Sequence, residues 1–288
     1  MKTLKQGGYD LFKGRTLIVA TMHKKENVIA PILEKELSVY CKTIPDLNTD
    51  NFGTFSGEIE RKDTPIETVK AKALAALEKS TETLVLASEG SFGSHPSSPF
   101  ISANEEIVVL IDTKNNLEIR GWHLTTTTNF NHQEISTISE LIEFAERIGF
   151  PDHNVIIKTN TVTGKIKVWK NFESQEELKS TAINLLKGNK SIHIETDMRA
   201  MNNPTRLKAI ENAVIDLVKN IKSLCPCCKM PGFSIVEAIR GLKCSLCNLP
   251  TKSVKAYIYK CKKCDYFCER AKENVSEEDP MYCDFCNP

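Results

Sequence analysis

Between residues 225 and 286 the chain repeats the pair Cys-x-x-Cys four times, at Cys225/Cys228, Cys244/Cys247, Cys261/Cys264 and Cys283/Cys286. That spacing lets one tight turn point two sulfurs at a single ion, and four such turns supply enough thiolates for two tetrahedral zinc sites. Read in chain order, the sets are C-x2-C-x15-C-x2-C and C-x2-C-x18-C-x2-C, which joins the first pair to the second and the third to the fourth. The alternative interleaves them, first with third and second with fourth. A disulfide framework would need an oxidising compartment, and a thioredoxin-like centre needs one pair at a helix start rather than four. Evenly matched pairs also favour closed zinc sites over the C-x2-C-x2-C run of an iron–sulfur cluster. Eight thiolates leave no coordination position for water, so both ions are expected to be structural. Cys227 and Cys268 lie beside these ligands, and each can replace a neighbour.

Ten of the eleven cysteines fall in this segment and only Cys41 lies outside it, which marks a boundary near residue 222. The expected organisation is an α/β domain over 1–221 and a tandem four-cysteine zinc-ribbon module over 222–288. The whole chain has a formal net charge of +1 and therefore lacks the basic excess of a general nucleic-acid binder. Residues 222–288 hold eleven Lys/Arg and eight Asp/Glu, or +3. Two zinc ions, each with four thiolates, contribute roughly −2 apiece, which brings the module to about −1. Lys260, Lys262 and Lys263 beside Tyr257, Tyr259 and Tyr266 remain a candidate stacking patch for nucleic acid, although a solvated face on a small domain is the stronger reading. Met1–Asp10 carries no apolar run, and no segment approaches the ~20 apolar residues of a membrane helix, so the expectation is a cytoplasmic protein without a membrane partner.

The larger part alternates strand and helix signals. Arg15–Thr21 is a β-branched apolar run that enters a helical pattern over Glu26–Leu37. Thr64-Pro-Ile-Glu67 carries an N-cap, a first-turn proline and a capping-box acid, and Thr83–Ser88 reads as the next buried strand. Glu106–Asp112 and Leu117–Leu124 flank the turn Thr113-Lys-Asn-Asn116, which predicts an antiparallel hairpin. Caps at Thr137 and Ser174 open two more helices, strands are expected near 154–159, 165–170 and 191–195, and Asn203-Pro204 starts a long amphipathic helix that runs to Cys225. The fold class is α/β, a layered domain with a mixed sheet and flanking helices, followed by the small cysteine module.

Four polar segments sit where strands end or helices begin, the usual place for α/β binding sites. Thr21-Met-His23-Lys-Lys25-Glu26 brings a hydroxyl, an imidazole and cations to a helix start that can hold an anion. Phe52–Arg61, which includes Glu58, and the glycine-rich loop Ser88-Glu89-Gly90-Ser91-Phe92-Gly93 let backbone come close to a neighbour. In Glu195-Thr-Asp197-Met-Arg199, alternation along an extended chain points the two carboxylates the same way, a spacing suited to a hard cation, while Arg199 and Arg206 can clamp phosphate. The competing reading of this last segment is a carboxylate–arginine network that orients helix caps.

His23-Lys-Lys25-Glu26, Gly53-Thr-Phe-Ser-Gly57-Glu58, Ala87-Ser-Glu-Gly-Ser-Phe-Gly93, Glu195-Thr-Asp-Met-Arg-Ala200 and Asp284-Phe-Cys-Asn-Pro288 resemble an uncharacterised bacterial domain-of-unknown-function family over nearly the whole chain. That resemblance implies no activity. Over residues 15–125, Ala20-Thr21, Ser56-Gly57, Glu67-Thr68 with Lys72-Ala73, and Ala87-Ser-Glu89-Gly90 resemble, more weakly, the inosine/xanthosine triphosphate pyrophosphatase fold. This second resemblance implies a phosphate contact at Thr21 and a magnesium carboxylate at Glu89, with His23 standing where that family has asparagine.

The leading expectation is thus a magnesium-dependent hydrolase of a nucleotide or another phosphorylated small molecule. Glu89, Glu195 and Asp197 would hold the metal, Lys25, Arg199 and Arg206 would neutralise phosphate, and His23 or Glu58 would position water. The alternative is a non-enzymatic protein in which the cysteine module grips nucleic acid or protein and the α/β domain senses a ligand.

Overall fold

A computed structural model describes residues 9–45, 47, 63–160 and 166–288. The segment Phe52–Arg61, and with it Glu58, lies outside the described residues. The described residues form two compact units, Gly14–Val218 and Lys219–Pro288 with residues 9–13.

In the larger unit the β-branched run at Thr16–Ala20 is strand β1. It leads into helix α1, Glu26–Leu37, which returns the chain to β2, Tyr40–Lys42, parallel to β1. Helix α2, Pro65–Glu78, starts on the Thr64/Glu67 capping box, in which the Thr64 hydroxyl accepts from the Glu67 amide and the Glu67 carboxylate accepts from the Thr64 amide. Such a cap is worth about 1 kcal/mol. Three long strands follow: β3, Leu84–His95; β4, Ser98–Asp112; and β5, Leu117–Thr125. The sheet order is β2-β1-β3-β4-β5, with β1 parallel to β3 and the last two pairings antiparallel, so the sheet is mixed. One face packs Ile18, Ala20, Val85, Ala87 and Val109 against Val69, Ala73 and Ala76 of α2.

Ser88–Gly93 corrects the sequence reading, because this stretch is strand and not loop. β3 continues through it to His95, paired residue for residue with β4 as far as Ser94, and up to Phe92 the same β4 residues also pair with β5. Glycine content suggested a turn, but the partner strand fixes the backbone in extended form.

A second sheet in the same unit has the order β6-β9-β7-β8, from His132–Ile135, Ile192–Thr196, Val155–Asn160 and Ile166–Trp169. Helices α3, Ile138–Ile148, and α4, Gln175–Leu186, open on Thr137 and Ser174 as their caps predict. They bury Leu141, Phe144, Leu178 and Ala182 with Ile135, Val155, Ile157, Ile192 and Ile194. Helix α5, Pro204–Lys222, carries the long apolar stripe.

Gly121 of β5 lets α5 lie unusually close. A Cβ there would stand 2.5 Å from the Leu217 backbone nitrogen and would also strike the Ala213 carbonyl oxygen. Backbone cannot step aside as a flexible side chain does, and overpacking typically costs about 1–3 kcal/mol. Gly121→Ala is therefore expected to lower stability by at least about 2 kcal/mol in a urea titration. A change below a few tenths would show that the approach is looser than described.

The smaller unit is built on a three-stranded antiparallel sheet, β10 (Ser234–Arg240), β11 (Val254–Lys260) and β12 (Phe267–Ala271). Among the described residues no helix is long and apolar enough to cross a membrane.

Candidate functional site

The four Cys-x-x-Cys turns are gathered in two sets. Cys225, Cys228, Cys261 and Cys264 form one and Cys244, Cys247, Cys283 and Cys286 the other, with the ligand atoms of each set all within 4.8 Å of one another. The pairing is interleaved, which corrects the sequential order expected from spacing. Strand register supplies the reason. Ser234 of β10 pairs with Lys260 of β11 and Arg240 with Val254, so the hairpin carries the chain away from the first turn, through the second, and back beside the first with the third. β12 then reverses direction again. The segment around Glu278 pairs with Lys243 and Ser245, which sets the fourth turn beside the second.

Three turns share one local geometry. The amides of Lys229, Asn248 and Asp265 donate to the carbonyls of Cys225, Cys244 and Cys261, and these three residues have φ of 62°, 59° and 57°. Asn and Asp tolerate that left-handed region better than most residues. The sulfur separations decide what the sets can hold. They are 3.7 Å for Cys225–Cys264, 3.6 Å for Cys228–Cys261, 3.8 Å for Cys244–Cys286 and 3.6 Å for Cys247–Cys283. A disulfide would bring sulfurs to about 2.05 Å, whereas a tetrahedron of metal–sulfur bonds near 2.3 Å has edges of about 3.8 Å. Each set can therefore hold one metal ion. The amides of Cys247 and Leu246 hold the Cys244 sulfur and bring its thiol down to about 7, which favours one thiolate before metal arrives. Cys227 is exposed and Cys268 packs against the first set; neither belongs to either set.

The remaining candidates lie in the larger unit, and β3 separates them by alternation. Ser88 pairs with Val108, Gly90 with Glu106 and Phe92 with Asn104, so these six share one face, while Glu89 takes the other. On the α2 face the buried Glu89 carboxylate is ion-paired with Lys72. On the opposite face the Lys25 Nζ donates to the Ser88 Oγ at 3.0 Å, and both side chains are buried. Arg206, with no exposed surface, donates from Nε to Glu106 Oε1 at 2.8 Å and from Nη1 to the Met198 carbonyl, and its guanidinium lies 5.3 Å from the centre of the Phe92 ring. Gly90 makes room for that pair, since a Cβ would come within 2.7 Å of Arg206 Nη2 and of Glu106 Oε2.

Lys25 is the most perturbed amine of this face. Burial pushes its ammonium down to about 7, Arg206 and Lys72 push the same way, and Glu106 and Glu89 offset them only in part. Among the described residues no carboxylate forms an ion pair with it. Lys25 is also the N-terminal cap residue of α1, without a side-chain cap. The buried Thr21 hydroxyl accepts the His23 amide at 3.4 Å, and His23 itself is half-buried.

Glu195 and Asp197 do not converge. β9 ends at Thr196, so alternation does not carry on to residue 197. Glu195 pairs with Lys158 at 2.7 Å and meets His193 at 3.3 Å, beside a cavity of about 470 Å³ lined in part by Glu134, Lys158, Lys190 and His193. Asp197 is fully buried and accepts from Arg199 Nη2 at 2.6 Å and Asn202 Nδ2 at 2.7 Å, and Arg199 reaches on to Asn171. Among the described residues only the two cysteine sets gather three or more candidate metal ligands, so the expected shared ion of Glu89, Glu195 and Asp197 is not formed. Asp197 and Arg199 instead make the cap-orienting network weighed against it. Thr21, Lys25 and Arg206 do share one region of the fold. Sequence reasoning left out Ser88 and Glu106 as site residues. The strand parity that places Glu106, Val108 and Leu110 on one face, with a carboxylate at a core position, was the signal for the second.

A crystal structure of protein VC0702 from Vibrio cholerae is similar at 10% identity and a TM-score of 0.32, over 72% of this chain and 94% of that one. No curated protein matches. The model of the family described as Domain of unknown function (DUF6671) matches residues 72–288, three quarters of the sequence including both cysteine sets, and the chain belongs to that family.

Proposed function

We propose that the larger unit binds and hydrolyses a phosphorylated small molecule, with a phosphate group seated at Lys25, and that the two cysteine sets hold structural zinc. The observation that carries the first part is a buried lysine at the start of a helix that has no carboxylate partner among the described residues. Among the described residues two cations, Lys25 and Arg206, face the carboxylate of Glu106 on that side of the sheet. An anion there gains both the amine and the positive end of α1, and it restores the proton that burial drives off Lys25. Thr21 offers a hydroxyl at the same turn. The reading involves no magnesium ligand set, because Glu89, Glu195 and Asp197 are each committed to a different cation.

Zinc suits sets of four thiolates and adds no reactive position, since every coordination site is filled by sulfur. These residues would fix the four turns and the ends of the β10–β12 sheet.

The test is a thermal-shift and phosphate-release panel of inorganic phosphate, pyrophosphate and nucleoside mono-, di- and triphosphates, with and without magnesium. Stabilisation by at least one phosphorylated compound, lost in Lys25→Met, is expected. A panel with no binder, or a binder indifferent to Lys25→Met, would contradict the assignment. A second reading, docking of a protein by the smaller unit, is favoured by the exposed Leu246, Met281, Tyr282 and Phe285 in and beside the turns of the second cysteine set.

A further inference from the structure

The second sheet buries its apolar residues under α3 and α4, so alternation sends the intervening residues of the same strands to its other face. Register lines three of them up. Glu134 of β6 and Lys158 of β7 both pair with His193 of β9, the strand between them. Their side chains are linked: His193 Nδ1 lies 3.1 Å from Glu134 Oε1, His193 Nε2 lies 3.3 Å from Glu195 Oε2, and Glu195 Oε1 is ion-paired with Lys158 Nζ at 2.7 Å. Glu134, His193 and Lys158 line the cavity of about 470 Å³, together with Asn160, Lys190 and Ser191, where β7 ends and β9 begins. Small-molecule pockets run from ~300 to ~1,000 Å³. Glu134, Lys190 and Ser191 are exposed, so a solute can reach this space from solvent.

The charges around the cavity are divided across the strands. Glu195 balances Lys158, and both side chains are largely covered, at 16% and 17% exposure. Toward β6, Glu134 uses one oxygen on His193 and keeps the other, on a side chain that is 61% exposed. Toward β7 and the start of β9 stand the remaining Lys158 donors and Lys190, which among the described residues meets no carboxylate. A simple anion in this space would lie against Glu134, and a simple cation against Lys158 and Lys190. A ligand that carries both signs of charge finds a complement at each end, with Asn160 and Ser191 offering hydrogen bonds between. Among the described residues no aromatic ring lines the cavity, so it has no stacking surface for a nucleobase. We propose that this cavity binds a small zwitterion, a free amino acid or a short peptide, with the ammonium on Glu134 and the carboxylate on Lys190 and Lys158. His193, held between two carboxylates, is a positioning residue that fixes the Glu134 side chain. The site lies on a different sheet from Lys25 and does not rest on the phosphate reading.

The experiment is calorimetric titration of the full chain with the common amino acids and a set of dipeptides, each binder then compared with its N-acetyl and its C-terminal amide form. The expected result is saturable binding of at least one of them, weakened at least about tenfold by either cap, because each cap removes one charge-assisted hydrogen-bonding group. Lys190→Met should weaken the free acid about tenfold and leave its amide unchanged. Glu134→Gln should weaken the free amine to the same degree and leave the N-acetyl form unchanged. Both positions are exposed, so both variants should melt with the wild type. Lys25→Met should bind the zwitterion as the wild type does, so this site and the phosphate site fail separately. No binding at millimolar concentration, binding of acetate or methylamine as tight as that of the zwitterion, or affinity indifferent to both substitutions would overturn the proposal and leave the row as a network that only stiffens the sheet.

Discussion

Removal of the metal by a chelator is expected to unfold the cysteine unit and to leave Gly14–Val218 folded. Structural zinc in small thiolate sites contributes about 10–16 kcal/mol of apparent binding free energy, and the unit has little else to hold it: Cys225, Phe233 and Cys261 are its clustered core, with Cys228, Tyr259 and Cys268 against them. Elemental analysis should find about two zinc ions per chain. The interleaved pairing makes a sharper prediction than the count. Cys244→Ser should release one ion and open Cys247, Cys283 and Cys286 to alkylation, while Cys225, Cys228, Cys261 and Cys264 stay protected. Alkylation of Cys225 and Cys228 together with Cys247 would restore the sequential pairing. Iron in place of zinc would overturn the metal assignment.

The second large effect concerns Lys25. In the unfolded chain its amine keeps the ordinary value near 10.5, whereas in the folded protein it sheds its proton at about 7. Between those two values the unfolded state binds the extra proton, so the wild type gains stability as pH rises. At pH 6 both states are protonated and the folded one bears the full cost of a buried ammonium. Lys25→Met removes that cost, and its gain should be on the order of 3–5 kcal/mol at pH 6, narrowing steadily as pH climbs above 7. Urea midpoints at pH 6 and 9 measure it. A variant that is less stable than wild type at pH 6 would show that the ammonium is satisfied in the folded state. Stability gained with function lost is the usual signature of a site residue kept against the interest of the fold.

Much of the framework was legible because it is local. Thr64/Glu67 and Thr137/Glu140 announced their helices, Ser174 a third, and the turn between Asp112 and Leu117 its hairpin. Each signal is complete within a few residues. What failed depended on partners far away in sequence. The sulfur pairing follows from the register of β10 on β11, not from the spacing of cysteines. Ser88–Gly93 is extended because β4 pairs with it, and Glu106 meets Arg206 across 100 residues. Glu195 and Asp197 were joined by an alternation that stops one residue too soon. Of the candidate site, Thr21 and Lys25 could be picked out from a strand-to-helix junction, while Ser88 could be identified only once β3 and α1 were placed side by side.

The phosphate site is tested most directly by calorimetric titration of adenosine triphosphate at about pH 8.5, in two buffers of different ionisation enthalpy. The phosphate groups then hold no proton to exchange and the free Lys25 amine is neutral. An anion seated on that amine must draw a proton from the buffer. The expected result is uptake of close to one proton per molecule bound in the wild type, with both the proton and most of the affinity absent in Lys25→Met. Binding without proton uptake that survives Lys25→Met would place the anion elsewhere and contradict the account.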